Sequence, residues 1–329
     1  MVGRSDLDGV TIDFGAHCHP DDPDENAFAH SFVQHDLDEP VFRDVDALVD
    51  QYERVGIDGA VLSQPYYLGH PDLDRTSAAN DAMAAAIEGH PNFYGLASIP
   101  TAAGGEDAAG EFERCLETGF NGGALETKSA GIELHDPAVE PILEVADRTG
   151  APILVHPKLN ESLDPDVLDD TWMLNAIFGR EVALIESVCK VVHTGVLDRY
   201  PNLNLVYHHN AGNLASTLGR FRSQFDKFPP DRWSGVESTR IKSFRDFKAQ
   251  IEDRIYLDTS GYDGYNQVLR AALSEFPVSQ LLFATDFPFE TRSAEDFSRM
   301  YSVIEEETSR EDASRILGAN ALQLLVNVN

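Results

Sequence analysis

A (β/α)₈ barrel, the TIM-barrel architecture, is the fold class the sequence predicts, and three observations point to it. Eight short apolar, β-like runs alternate with eight segments of helical spacing. The length, 329 residues, suits one such barrel with loop insertions, since the fold typically needs ~250 residues. The residues richest in metal-ligand chemistry fall at the C-terminal ends of the runs, where a barrel of this kind carries its site.

In order, the strands are read at 10–18, 58–63, 93–99, 122–127, 152–156, 203–208, 254–259 and 280–285. Several are continuous apolar runs, such as Ile153-Leu154-Val155 and Leu281-Leu282-Phe283, as strands buried on both faces should be. Helical spacing covers 44–56, 75–89, 106–119, 137–149, 181–199, 213–225, 264–275 and 294–307, with a terminal helix over 310–325. Asp136 before Pro137 reads as an N-cap with proline at the first helical position, and Gly150 closes that helix. Repeated βα units imply parallel strands joined by right-handed crossovers. The polar stretches 20–42, 157–172 and 226–248 read as insertions in loops on the catalytic face, and the whole chain, 1–329, as a single domain.

The charge balance is extreme: 25 Lys+Arg against 56 Asp+Glu, a formal net of −31, with six lysines. Such a surface repels nucleic acid and anionic membranes, because phosphate recognition needs a basic patch. The acids are spread over the full length, the pattern of a salt-adapted surface. No run of apolar residues is long enough for a membrane span, and the first residues lack a secretory pattern. Cys18, Cys115 and Cys189 form no CxxC pair, which fits a reducing compartment. We therefore expect a cytoplasmic protein of a high-salt organism.

His17 and His19 close the first strand in Ala-His-Cys-His-Pro. Two residues apart on a strand, they share a face and can chelate one ion, while Cys18 points the other way. His156 ends the fifth strand and Asp286 the eighth. Each alone has a bland reading, a satisfied rim histidine or a helix-capping aspartate. Four at one rim are read together as ligands of one divalent ion, Zn²⁺ foremost, with Mn²⁺ or Fe²⁺ acceptable to the same mixed N₃O set. The sixth strand ends in His208-His209. Adjacent strand residues face opposite ways, so one of the two is expected in the site as an acid/base, a role suited to an imidazole of pKa near 6.5.

These residues, in this order, resemble the amidohydrolase superfamily, and within it the amidohydrolase-2 group typified by aminocarboxymuconate-semialdehyde decarboxylase. The resemblance runs through His17-Cys18-His19, the segment 90–100, Thr118 to Glu126, Val155-His156-Pro157, Thr194 to Val206 with His209, Phe283 to Phe289, and Ile316 to Ala321. It implies a mononuclear metal on His17, His19, His156 and Asp286, and an acid/base role for His209 rather than His208. It further implies a homodimer in which Arg220 reaches the substrate carboxylate of the neighbouring copy, with Arg43 and Trp172 as further substrate contacts. One departure stands out. After the sixth strand the family usually has His-Gly-Gly, whereas this chain reads His209-Asn210-Ala211-Gly212, which restricts the backbone.

The implied reaction is non-oxidative decarboxylation of an aromatic or muconate-type carboxylic acid, a small-molecule carboxylate substrate. Metal-assisted hydrolysis of a lactone, ester or amide uses the same parts and stays open. Lys128 lies near the place of a bridging lysine in two-metal relatives, and Glu126 near a glutamate of barrel deoxyribonucleases. The acidic surface speaks against a DNA substrate.

Overall fold

The computed structural model describes residues 9–21, 39–157, 172–228 and 241–326. The greater part of the insertions read at 20–42 and 157–172 lies outside the described residues, as does 229–240 of the third. The strands are β1 (Ile12–His17), β2 (Gly59–Ser63), β3 (Phe93–Ser98), β4 (Gly122–Glu126), β5 (Ile153–His156), β6 (Leu205–Tyr207), β7 (Ile255–Asp258) and β8 (Leu281–Leu282). They form one parallel sheet in sequential order, as repeated right-handed βα crossovers require.

The seam between β1 and β8 is closed by backbone hydrogen bonds. Phe14 N donates to Phe283 O at 2.8 Å, Asp286 N to Gly15 O at 2.9 Å and His17 N to Phe287 O at 2.9 Å. The eighth strand proper covers Leu281–Leu282, shorter than the 280–285 read from sequence, and its ladder with β7 covers the same two residues, while backbone bonds to β1 continue past it. Beyond them a buried side chain takes over part of the pairing. Asp13 accepts from Thr285 N at 3.0 Å, from the Thr285 hydroxyl and from Tyr52 OH at 2.6 Å.

Alternate residues of each strand face two apolar layers. Ile12, Phe14, Val61, Leu96, Leu154, Val206 and Leu282 fill the barrel interior. Residues such as Ala60, Leu62, Ala97, Leu125, Val155 and Leu257 pack outward under the helices. This double burial is why the strands read as continuous apolar runs. Cys18 lies in the outer layer beside Ala16, as alternation requires, and burial pushes its thiol up to about 12.

The helices are α1 (Val45–Val55), α2 (Leu73–Ile87), α3 (Gly105–Glu117), α4 (Glu140–Thr149), α5 (Arg180–His193), α6 (His208–Lys227), α7 (Phe244–Arg254), α8 (Asn266–Glu275) and α9 (Ala294–Glu307). Short helical segments follow over 310–326. Gly150, at φ 72°, closes α4 as expected. Asp136 does not cap it, because Pro137–Val139 forms a separate 3₁₀ turn and the Asp136 carboxylate accepts from Glu133 N at 2.7 Å. The helix α7 begins at Phe244, inside the stretch 226–248 that the sequence presents as a loop insertion. It buries only Phe247 and Ile251, one turn apart, which is too thin an apolar stripe to stand out. None of the described helices is long and apolar enough to cross a membrane.

Candidate active site

Four side chains from four strand ends converge on the C-terminal face of the barrel. His17 Nε2 lies 2.8 Å from Asp286 Oδ1, and His208 Nε2 lies 3.3 Å from the same oxygen. The potential ligand atoms of His17, His156, His208 and Asp286 all lie within 4.8 Å of one another, and all four residues are buried. Each imidazole is oriented by a partner on its other nitrogen. His17 Nδ1 is hydrogen-bonded with Ser63 Oγ at 2.9 Å, His156 Nδ1 donates to Pro157 O at 2.9 Å, and His208 Nδ1 contacts Asp258 Oδ2. Outer partners of this kind are what hold metal-ligating histidines in place. Imidazoles and a carboxylate at this spacing fit a divalent transition ion. Burial keeps His17 and His156 below the usual histidine pKa, hence neutral and able to ligate.

His19 is buried at the same rim, with its ring against Tyr66 and Phe289 at 4.9 and 5.7 Å. Its nitrogens do not fall within the 4.8 Å group, and its Nε2 accepts from Tyr66 N at 3.5 Å. The structure thus brings three of the four expected ligands together and sets His19 beside them.

The expectation that only one of His208 and His209 faces the site is corrected. Both reach Asp286, His209 through Nε2 at 3.4 Å from Oδ2, and their rings stack at 4.8 Å. The chain leaves the strand at Tyr207 and enters a left-handed turn in which His209, Asn210, Ala211, Gly212 and Asn213 all have φ between 51° and 69°. Strand alternation therefore ends before His209. The regular helix starts after this turn, close to the 213 read from sequence. Gly212 is needed there twice over, since a Cβ at this positive φ would also lie 2.1 Å from Glu181 O.

Asp258, unmarked by sequence reasoning, organises the pair. Its Oδ1 accepts from His209 N at 3.0 Å, Ser260 N at 3.1 Å and Ser260 Oγ at 2.5 Å, while Oδ2 takes His208. Burial opposes a charged His208, but Asp258 and Asp286 outweigh it and lift it to about 9. His209 Nδ1 meets Glu181 Oε1 at 2.8 Å, and Tyr262 OH donates to Glu181 Oε2 at 2.8 Å. Against the same burial, Glu181 and Asp286 hold His209 well above its ordinary value.

His156, His209 and Asp286 line a cavity of about 370 Å³. Tyr66, Phe289, Tyr262, Met173 and Ile177 supply apolar and aromatic wall, and Glu126, Arg180, Glu181 and Glu290 the other charged groups. Burial first, then the charge of Asp286, pushes Glu290 up to about 7. Of the expected substrate contacts, none lines this cavity. Trp172 is 71% exposed, Arg220 is exposed on α6, and Arg43 follows the 3₁₀ turn Pro40–Phe42, half-buried. Lys128 pairs with Glu133 at 3.5 Å on a small hairpin, away from a bridging position, while Glu126 accepts from Ser129 Oγ at 2.9 Å. Glu290 carried one sequence signal, its place four residues after Asp286. Arg180 and Glu181 carried none beyond opening a helix.

The amidohydrolase family profile matches residues 12–325. A 2-amino-3-carboxymuconate-6-semialdehyde decarboxylase of Dictyostelium discoideum is 27% identical over 86% of this chain and 76% of its own. A gamma-resorcylate decarboxylase of Polaromonas sp. is 29% identical over 64% of this chain and 65% of its own. Among solved structures, a dihydroxybenzoic acid decarboxylase from Polaromonas sp., with bound manganese and the inhibitor 2-nitroresorcinol, superposes with a TM-score of 0.80 at 22% identity, covering 97% of both chains. That likeness establishes the barrel fold.

Proposed function

Since the chain belongs to the amidohydrolase family, we propose that it is a metal-dependent, non-oxidative decarboxylase of aromatic or muconate-type carboxylic acids. The observation that carries this reading is the buried His/Asp cluster opening into an aromatic-walled cavity beside His209. The relatives described above are themselves decarboxylases, which favours this reaction over hydrolysis.

We assign the metal to His17, His19, His156 and Asp286. His208 is left out because both its nitrogens face carboxylates, Asp258 and Asp286, an arrangement suited to a doubly protonated ring. The imidazole-rich set favours zinc. A bound divalent ion supplies Lewis acidity toward substrate oxygens and stabilises negative charge. His209, held by Glu181, delivers a proton to the carbon bearing the carboxylate. The carbon–carboxylate bond then breaks, its electron pair returns to the substrate framework, and CO₂ departs. The protonated product leaves, and His209 regains its proton from solvent. The aromatic walls orient a planar substrate and exclude water. Arg220, exposed on α6, is assigned to the cavity of a neighbouring copy in a homodimer.

The test is a turnover screen at high salt with metal-stripped protein reloaded with zinc or with manganese. The expected result is CO₂ released in step with loss of an aromatic or muconate-type acid. Hydrolysis of a lactone, ester or amide without CO₂ overturns the reading.

A further inference from the structure

Among the described residues, one cation in the cavity, Arg180, has no hydrogen bond or ion pair at its Nε. Arg180 opens α5 directly after a wide helical turn, Asn175–Gly179, and lines the cavity together with His156, His209 and Asp286. It is the only lysine or arginine among the described lining residues. Its Nε is shut off from solvent and makes no hydrogen bond. The carboxylates around it are committed elsewhere: Glu181 to His209 and Tyr262, Glu290 to Arg292, Asp286 to the histidines.

A guanidinium whose Nε–H is neither solvated nor hydrogen-bonded is costly to keep, and its fork geometry matches a carboxylate in two-point contact. Resting on the decarboxylase reading, we propose that Arg180 anchors an acidic group of the substrate that the reaction leaves in place. The pocket thereby selects substrates with two carboxylates over those with one. The departing carboxylate is the poorer partner for Arg180, because a contact to charge that is lost as CO₂ stabilises the ground state more than the transition state. A ring lying between Tyr66, Phe289 and Tyr262 can point one acid toward the histidine cluster and the other toward Arg180.

The rival explanation is that Arg180 only offsets the negative charge of Asp286, Glu181 and Glu290. Calorimetric binding of benzoate and of the three benzenedicarboxylates to the metal-loaded protein separates the two, and does not depend on turnover. The wild type should bind at least one dicarboxylate tenfold or more tighter than benzoate. Arg180→Gln should remove about that tenfold difference while leaving benzoate nearly unchanged, and Arg180→Lys should restore part of it. Circular dichroism and metal content confirm that the variants are folded. Equal weakening of all four ligands, an unchanged preference in Arg180→Gln, or no preference in the wild type overturns the proposal. A protein that shows the preference but releases no CO₂ from any acid keeps the anchor and loses the decarboxylase.

Discussion

His17 Nε2 and Asp286 Oδ1, 269 positions apart in sequence, sit 2.8 Å from each other at the mouth of the barrel. The contact joins the first strand to the eighth and defines the centre of the proposed metal site. Asp286 also faces His208 and His209, and although burial alone would raise it, these histidines hold its carboxyl far below the usual range. Asp286→Ala should strip the metal and lower turnover by on the order of 10²–10³-fold or more. Metal analysis by mass spectrometry checks it, and full metal content in the variant would contradict the assignment.

The two neighbouring histidines should behave differently from His19. His209→Asn is expected to keep the metal and lose about 10²–10⁴-fold in kcat, the usual contribution of an acid/base group. His208→Gln should likewise retain the ion, whereas His19→Ala should lose it. Metal content of the three variants, measured side by side, decides the ligand set.

The left-handed turn at 209–213 gives a pair of contrasting backbone predictions. Gly212→Ala places a methyl 2.1 Å from Glu181 O at φ 69°, and should destabilise by about 3 kcal/mol or more. Ala211→Gly removes a left-handed penalty of roughly 1–2 kcal/mol and adds about 0.5–1 kcal/mol of chain entropy. It should therefore be neutral or slightly stabilising. Urea denaturation of both variants reads the difference.

His193 supplies a stability effect with a definite sign. Burial, then the nearby Lys242, pulls it down to about 4, against about 6.5 in an unfolded chain. Its Nδ1 accepts from Lys242 N at 3.2 Å, which requires the neutral ring, and the ring stacks on Phe247 at 5.4 Å. Below the unfolded value the unfolded chain binds more protons, so this contribution is complete above about pH 6.5 and falls as pH drops toward 4. Partial exposure of the ring limits it to about 1 kcal/mol. His193→Gln should flatten the melting temperature against pH in that window.

The excess of 56 acidic over 25 basic residues predicts stabilisation by salt. Raising KCl from about 0.1 to about 1 M shortens the screening length from roughly 10 to 3 Å and weakens self-repulsion. The melting temperature should rise by several degrees, and a flat or falling curve would contradict the salt-adapted reading of the surface.

The barrel was legible because each strand is buried on both sides and reads as an unbroken apolar run. His17, His156 and Asp286 were legible for the same reason, each being the polar residue that ends such a run. His208 was not, since the rule of alternation assumes a strand and the chain stops being one at Tyr207. Asp258, too, ends an apolar run, but its role as a shared acceptor depends on where β6 delivers its two histidines. Arg180 and Glu181 reach the cavity from a helix start whose position is set by packing, which no local pattern encodes. Trp172, expected in the pocket from the family resemblance alone, is mostly exposed, because a resemblance fixes a position in the chain and not the direction of its side chain.

The seam that closes β1 onto the segment after β8 has a consequence for biosynthesis. The residues that meet there, Phe14 with Phe283 and Gly15 with Asp286, are drawn from the two ends of the barrel. A nascent chain therefore cannot assemble this centre until the segment through Asp286 has emerged from the ribosome, however early its first seven strands begin to collapse. Metal uptake becomes a late event that reports a finished barrel, and any chain halted before Asp286 lacks the pocket that would capture the ion.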